Sequence, residues 1–309
     1  MTPATKTDKA VGCLIGLAVG DALGATLEFG PRRGKTNLHT EMIGGGPFRL
    51  KPGQYTDDTA MALALASAIV AGHAQFKPFE VAMNFLGWYT RGRFSSNGRC
   101  FDIGNTTRRS LERFLKTKET IAPRDESALG NGAIMRLAPV PIAYSMHPEK
   151  AAEVADVQTR ITHNASLNIA AAQWLAFRLA LQIRATENLF DGTDRHCAIG
   201  ADYLDDFPAL LECVGTDWRA VPRTQVSSGG HVIDTLGAAL WSIQTTGNFE
   251  DAVVAAVNLG DDADTVGAVT GMIAGAIYGE AAIPARWKGA LAYADKIKAT
   301  AVALDGMAA

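Results

Sequence analysis

Three carboxylates fall within four positions in the run Gly260-Asp261-Asp262-Ala263-Asp264-Thr265. Residues 266–279 then run almost wholly apolar and small, with Gly267, Gly271, Gly275 and Gly279 four apart. That pattern predicts a buried, closely packed helix with the acids at its N-terminus. Asp and Thr favour that end by hydrogen bonding and by the helix dipole, and one such residue makes a cap. Four oxygen-bearing side chains exceed that need. Clustered carboxylates repel, and burying an unpaired charge costs roughly 3–5 kcal/mol. A hard divalent cation removes the conflict. Thr56-Asp57-Asp58-Thr59 repeats the arrangement ahead of a second small, apolar helix at residues 60–71. Either cluster alone reads as a cap. Two oxygen-only clusters in one chain suggest helix ends that face one another across a metal site. Neither contains His or Cys, so the ligand chemistry favours Mg²⁺ or Mn²⁺ over Zn²⁺ or Cu²⁺.

The elements that must position these acids are helical. Residues 11–25 are small and apolar, with Gly12, Gly16, Gly20 and Gly24 four apart, a face without side chains on which another helix can pack closely. Asp21 interrupts that helix and reads as a hydrogen-bonded scaffold residue, because buried polar groups are satisfied. Residues 29–55 show no period and read as a long loop. Helices are expected at residues 78–90, from residue 106 with a basic outer face (Arg108, Arg109, Arg113), and at 165–184. Others follow around 195–205 and at 232–244, 250–259 and 285–303. Asp102 sits just before one helix, His163 just before another, and Gly130-Asn131-Gly132 forms a glycine-bracketed turn. As isolated features these read as a loop acid, a helix-end histidine and a plain turn. No run alternates at period two for long, so the expected fold is all-α: one domain of bundled or orthogonal helices over residues 8–305, with a metal centre at helix N-termini.

Composition agrees with a globular chain. Of 309 residues, 48% are hydrophobic and 20% charged. The net charge of -3 gives no basic field for nucleic acid, which is not an expected partner. The four cysteines are scattered without a CxxC pair, which argues against thiolate zinc and a disulfide framework. No stretch has the roughly 18 apolar residues of a membrane span and no signal peptide is evident, so a soluble, cytoplasmic protein is expected.

Together these motifs resemble the ADP-ribosylglycohydrolase family, and most of all its bacterial dinitrogenase reductase-activating members, which remove ADP-ribose from an arginine. The resemblance rests on Gly20-Asp21-Ala22-Leu23-Gly24 with Glu28, on Tyr55-Thr56-Asp57-Asp58-Thr59, and on Gly98-Arg99-Cys100-Phe101-Asp102-Ile103-Gly104-Asn105. It also rests on Gly130-Asn131-Gly132 with Met135-Arg136-Leu137-Ala138-Pro139, on Asp234-Thr235-Leu236 with Ala239-Leu240-Trp241, and on Asn258-Leu259-Gly260-Asp261-Asp262-Ala263-Asp264-Thr265. It implies an all-α fold and a centre of two divalent cations, Mg²⁺ or Mn²⁺, held by Thr56, Asp57, Asp58, Asp262, Asp264 and Thr265. It implies that Asp102, Asp58 and Glu28 serve catalysis. Asp102, Gly104, Asn105, Asn131, Gly132, Ile134, Met135, His163, Gly230 and His231 are then expected to bind substrate. His231 stands where relatives often carry Tyr, so imidazole replaces an aromatic contact. The implied reaction is hydrolysis of the N-glycosidic bond of an ADP-ribosylated arginine on a protein, releasing ADP-ribose. Another linkage (serine, O-acyl or nucleic acid) or a non-catalytic ADP-ribose-binding module are the alternatives. A two-metal phosphohydrolase would use the same ligand chemistry, but the resemblance disfavours it.

Overall fold

The structure, a computed structural model, describes residues 4–307 except 74, 186–187, 189 and 191–203. The described residues form thirteen α-helices: α1 (Lys6–Gly24), α2 (Asp57–Ala71), α3 (Pro78–Arg91), α4 (Asn105–Thr117), α5 (Pro139–Ala143), α6 (Pro148–Arg160), α7 (Ser166–Arg184), α8 (Pro208–Gly215), α9 (Val232–Gln244), α10 (Phe249–Val257), α11 (Ala263–Tyr278), α12 (Ala285–Ala290) and α13 (Ala294–Asp305). Among them no strand forms, only isolated bridges Gly45–Leu50 and Gly130–His231. The all-α expectation is met. The helix expected around residues 195–205 lies almost wholly outside the described residues.

The two glycine-striped helices pack on each other. A Cβ built on Gly16 would overlap the Gly271 carbonyl, and one on Gly271 would overlap that of Gly16. Gly12 meets Gly275 in the same way, Gly20 meets Gly267, and Gly24 meets Ala263. Without side chains in the seam, α1 and α11 lie backbone against backbone, antiparallel, both buried along nearly their whole length. The C-terminal end of α1 is thereby fixed beside the N-terminus of α11.

Residues 285–303 break into α12 and α13 where one helix was expected. The Ala292 N–H turns away to the Gly53 carbonyl at 2.9 Å, and Tyr293 takes a left-handed φ of +59°. A tertiary contact thus overrides local helix preference. The pattern-based reading missed α6 and α8, although each opens on a proline at its first turn, a recognised start signal. No described helix is long and apolar enough to cross a membrane.

Candidate active site

Three links gather the acids at one end of the α1–α11 seam. The first is the loop after α1. The Phe29 N–H donates to the Asp261 carbonyl at 2.7 Å, and the Asp261 N–H donates to the Gly30 carbonyl at 2.9 Å. This places Glu28 beside α11, where its Oε2 accepts the Asp264 N–H at 3.5 Å. Oxygens of Glu28, Asp262 and Asp264 all lie within 4.8 Å of one another. Phe29 and Asp261 reach this pairing with left-handed φ values of 58° and 57°, a backbone that bulky side chains avoid and that clusters at functional sites.

The second link is Asp21, fully buried in α1. Its carboxylate caps α2 from a neighbouring helix, doing what Thr56 at the N-cap does not. Asp21 Oδ1 accepts the Thr56 N–H (2.8 Å) and hydroxyl (3.0 Å), and Oδ2 accepts the Thr59 N–H (3.0 Å) and hydroxyl (2.6 Å). The scaffold reading of Asp21 holds, and its consequence is that Asp57 and Asp58 are held against α11. The Thr265 hydroxyl reaches Asp58 Oδ1 at 3.4 Å across 207 residues of sequence. Asp21→Ala removes four bonds to a buried anchor and is expected to lower unfolding free energy by about 3 kcal/mol or more. Denaturant titration checks this; a change under about 1 kcal/mol would contradict the anchoring role.

The third link is the Asn131 turn. The Asn131 N–H donates to the Gly230 carbonyl at 3.0 Å and the Val232 N–H to the Leu129 carbonyl at 2.9 Å. The Asn131 amide donates to Asp262 Oδ2 at 2.7 Å and to Thr235 Oγ1 at 2.8 Å. Asn131 therefore orients a carboxylate of the cluster with its side chain. Gly230 leaves room for that carboxylate, since a Cβ there would come 2.9 Å from Asp262 Oδ2.

A cleft of about 860 Å³ opens over this cluster, lined by Glu28, Asp57, Asp102, Gly104, Asn105, Asn131, Gly132, Met135, His163, Gly230, Asp262, Asp264 and Thr265. Thr56 and Asp58 do not line it but are buried, and Thr265 joins Asp58 to the wall. Two residues expected to bind substrate, Ile134 and His231, do not line the cleft wall. Ile134 is fully buried in the hydrophobic core, because the turn sends that side chain inward. His231 caps α9, its Nδ1 accepting the Ile233 N–H at 3.2 Å, which holds the ring at the helix end. The cleft also takes in Phe29, Phe48, Ile103 and Asp261, which the motif reading had not assigned. Asp261 stands in the acidic run itself and Ile103 in the motif around Asp102, whereas Phe29 and Phe48 fall in the long loop, which has no period. A second groove, about 810 Å³ between α2 and α13, has Lys296 as its one charged side chain and no acidic cluster.

The electrostatics call for a cation. Burial, then repulsion from Asp264, pushes the Glu28 carboxyl up to about 11 and that of Asp262 up to about 7. Asp57 and Asp58 are raised well above the ordinary range by the same two causes in the same order. Asp102, itself at a left-handed φ of 60°, is raised to about 12 by burial and then by Asp57 and Asp264. None of these acids takes part in a described ion pair with Lys or Arg. Asp58 Oδ2 is buried without any hydrogen-bond partner. An orphaned carboxylate oxygen amid oxygen-only donors fits a hard divalent cation. His163 is pushed the other way, down to about 3, by burial and then by Arg136, so its ring is neutral.

Comparison with known proteins points the same way. A profile of the ADP-ribosylglycohydrolase family matches residues 2–308. The chain is 43% identical over 304 residues to the ADP-ribosylarginine hydrolase Tri1 of Serratia proteamaculans (strain 568), covering 97% of this chain and 80% of that one. It is 37% identical over 290 residues to the ADP-ribosyl-[dinitrogen reductase] glycohydrolase of Rhodospirillum rubrum, covering 93% and 91%. A solved structure described as an ADP-ribosylglycohydrolase-related protein complex superposes with a TM-score of 0.80 at 38% identity, over 98% of this chain and 99% of that one. With its acids gathered on one helix seam and its sequence matched from end to end, this chain belongs to the ADP-ribosylglycohydrolase family.

Proposed function

We propose that this protein is a metal-dependent hydrolase that removes ADP-ribose from arginine side chains of modified proteins in the cytoplasm. The observation that carries the reading is the meeting of two acidic helix ends at Asp58 and Thr265, 207 residues apart in sequence. The arginine linkage is supported by the relatives' names, ADP-ribosylarginine hydrolase among them. Residues 8–305 are taken as one domain, which the packing of α1 against both α11 and α13 and the 2.5 Å ion pair from Lys6 to Asp305 support.

Thr56, Asp57, Asp58, Asp262, Asp264 and Thr265 would hold two divalent cations, Mg²⁺ or Mn²⁺, with Glu28 beside them. Bound there, the ions would offset the carboxylates, grip vicinal ribose hydroxyls and make water more acidic. The protein's own groups supply the rest. The N-terminus of α4 has Gly104 at its N-cap and no side-chain cap, so its first N–H groups, beside the Asn131 turn in the cleft, suit a diphosphate. Asp102, whose carboxyl is raised by burial and then by Asp57 and Asp264, would give its proton to the departing guanidine. Hydrolysis breaks the bond between the anomeric carbon and the guanidine nitrogen. The water oxygen would bond to that carbon and its released proton would return to the Asp102 carboxylate, leaving ADP-ribose and the free arginine side chain.

The test is release of free ADP-ribose from arginine- and serine-linked ADP-ribosyl peptides in Mg²⁺ or Mn²⁺. Release from the arginine peptide alone, stopped by a chelator, is expected. Release from serine would change the acceptor, and binding without turnover would leave only a reader of ADP-ribose.

A further inference from the structure

Behind the cleft lies an arginine with no exposed surface, Arg136. Its Nε donates to Gln158 Oε1 at 3.0 Å, and its Nη2 donates to the Gln158 carbonyl at 3.1 Å and to Thr162 Oγ1 at 2.8 Å. The guanidinium also lies 4.5 Å from the centre of the Phe85 ring. Arg136 takes part in no described ion pair, although its charge interacts through space with that of Asp57. Thr162 Oγ1 stands 2.9 Å from His163 Nδ1. The far edge of that ring lies beneath the Asn131 turn, where a Cβ on Gly132 would come 2.6 Å from His163 Cε1 and one on Gly130 3.5 Å from Nε2.

The directions of these hydrogen bonds follow from the donor inventory. A guanidinium only donates, so Thr162 Oγ1 accepts from Arg136. The single hydroxyl hydrogen of Thr162 then needs an acceptor, and Nδ1 of His163 is the one within reach among the described hydrogen bonds. Were the ring proton on Nδ1, the Thr162 hydroxyl hydrogen would be buried without a partner, an arrangement folded proteins avoid. The ring proton therefore sits on Nε2. A second proton on the ring is opposed by burial and by the nearby guanidinium.

We infer that Arg136 is a positioning residue: through the Thr162 hydroxyl it fixes His163 as the neutral Nε2–H tautomer, a hydrogen-bond donor facing the cleft toward an anionic oxygen of ADP-ribose. The identity of the ligand rests on the reading above; the tautomer does not. A neutral donor backed by a buried cation binds an anionic oxygen without placing a titrating charge beside the acidic cluster. The Arg–Thr–His chain polarises in one direction, which strengthens the final bond.

Nitrogen-15 NMR of histidine-labelled protein, without ligand at neutral pH, tests the relay directly. Nε2 protonated and Nδ1 bare is expected for His163. A ring protonated on Nδ1, or on both nitrogens, overturns the inference. Calorimetry with ADP-ribose in Mg²⁺ follows for Thr162→Val and Thr162→Ser. Valine is expected to mix the tautomers and weaken binding about tenfold, as for one lost hydrogen bond to a charged group, while serine restores both. A valine variant with unchanged tautomer and affinity overturns the inference. Wild type that fails to bind ADP-ribose removes the hydrolase reading, while the spectrum still decides the relay.

Discussion

Asp264→Asn lowers turnover by about a thousandfold and at the same time stabilises the metal-free protein. The two effects have one cause. Asp264 is buried, and its charge raises the carboxyls of Glu28, Asp57, Asp58, Asp102 and Asp262. Removing that charge relieves repulsion when no cation is present. It also removes a proposed ligand, and metal assistance contributes several kcal/mol to a transition state, which sets the thousandfold scale. Asparagine keeps the shape and can still accept the Thr265 N–H that Asp264 Oδ1 holds at 2.8 Å, so the fold is retained. Kinetics on the arginine-linked peptide and thermal melts in chelator check both halves. Undiminished turnover would count against the ligand assignment, and a lower melting temperature in chelator would count against the repulsion.

Without metal, stability is expected to fall as pH rises from 7 to 8. Carboxyls in the unfolded chain titrate near pH 4. Glu28 in the folded chain stays protonated up to about 11, and Asp57 and Asp58 are raised well above the ordinary range. Across this window the folded state binds more protons than the unfolded state, so stability drops by about 1.4 kcal/mol per pH unit for each carboxyl that stays protonated. His39 and His163 are depressed by burial and act with the opposite sign, but most of their contribution is in place by about pH 7, above the unfolded value of about 6.5. The window also lies below the ordinary thiol range, where the buried cysteines would enter. Saturating Mg²⁺ or Mn²⁺ is expected to reverse the slope, because the ligands must shed protons to bind. Melts at several pH values in chelator and in metal check this. A flat or rising profile in chelator would show that the cluster shares its charge in some other way.

Local periodicity and composition made part of this site legible. Gly12, Gly16, Gly20 and Gly24, and their counterparts on the other helix, announced a backbone-to-backbone seam, because only a missing Cβ permits that approach. The two acidic runs announced a shared site, because like charges at two helix ends need a common counter-charge. What stayed hidden depends on pairings between distant residues. Asn131 reaches Asp262 over 131 positions, and no pattern near either residue predicts it. Ile134 and Met135 are adjacent and both pack into the core, yet only Met135 also reaches the cleft wall. The left-handed backbone of Phe29 is likewise imposed by surrounding contacts, since a bulky residue avoids that region, whereas Asp102 and Asp261 are of a type that tolerates it. Thr162 likewise depends on a distant partner, accepting a hydrogen bond from Arg136 across 26 positions.

Divalent ions are expected between the two acidic helix ends. Crystals of active protein grown in Mn²⁺, with diffraction collected at a wavelength where manganese scatters anomalously, answer that directly. Anomalous peaks bounded by Asp57 and Asp58 on one side and Asp262 and Asp264 on the other are the expected result. Crystals of protein active in that same Mn²⁺ solution that show no peak among these four carboxylates would contradict it.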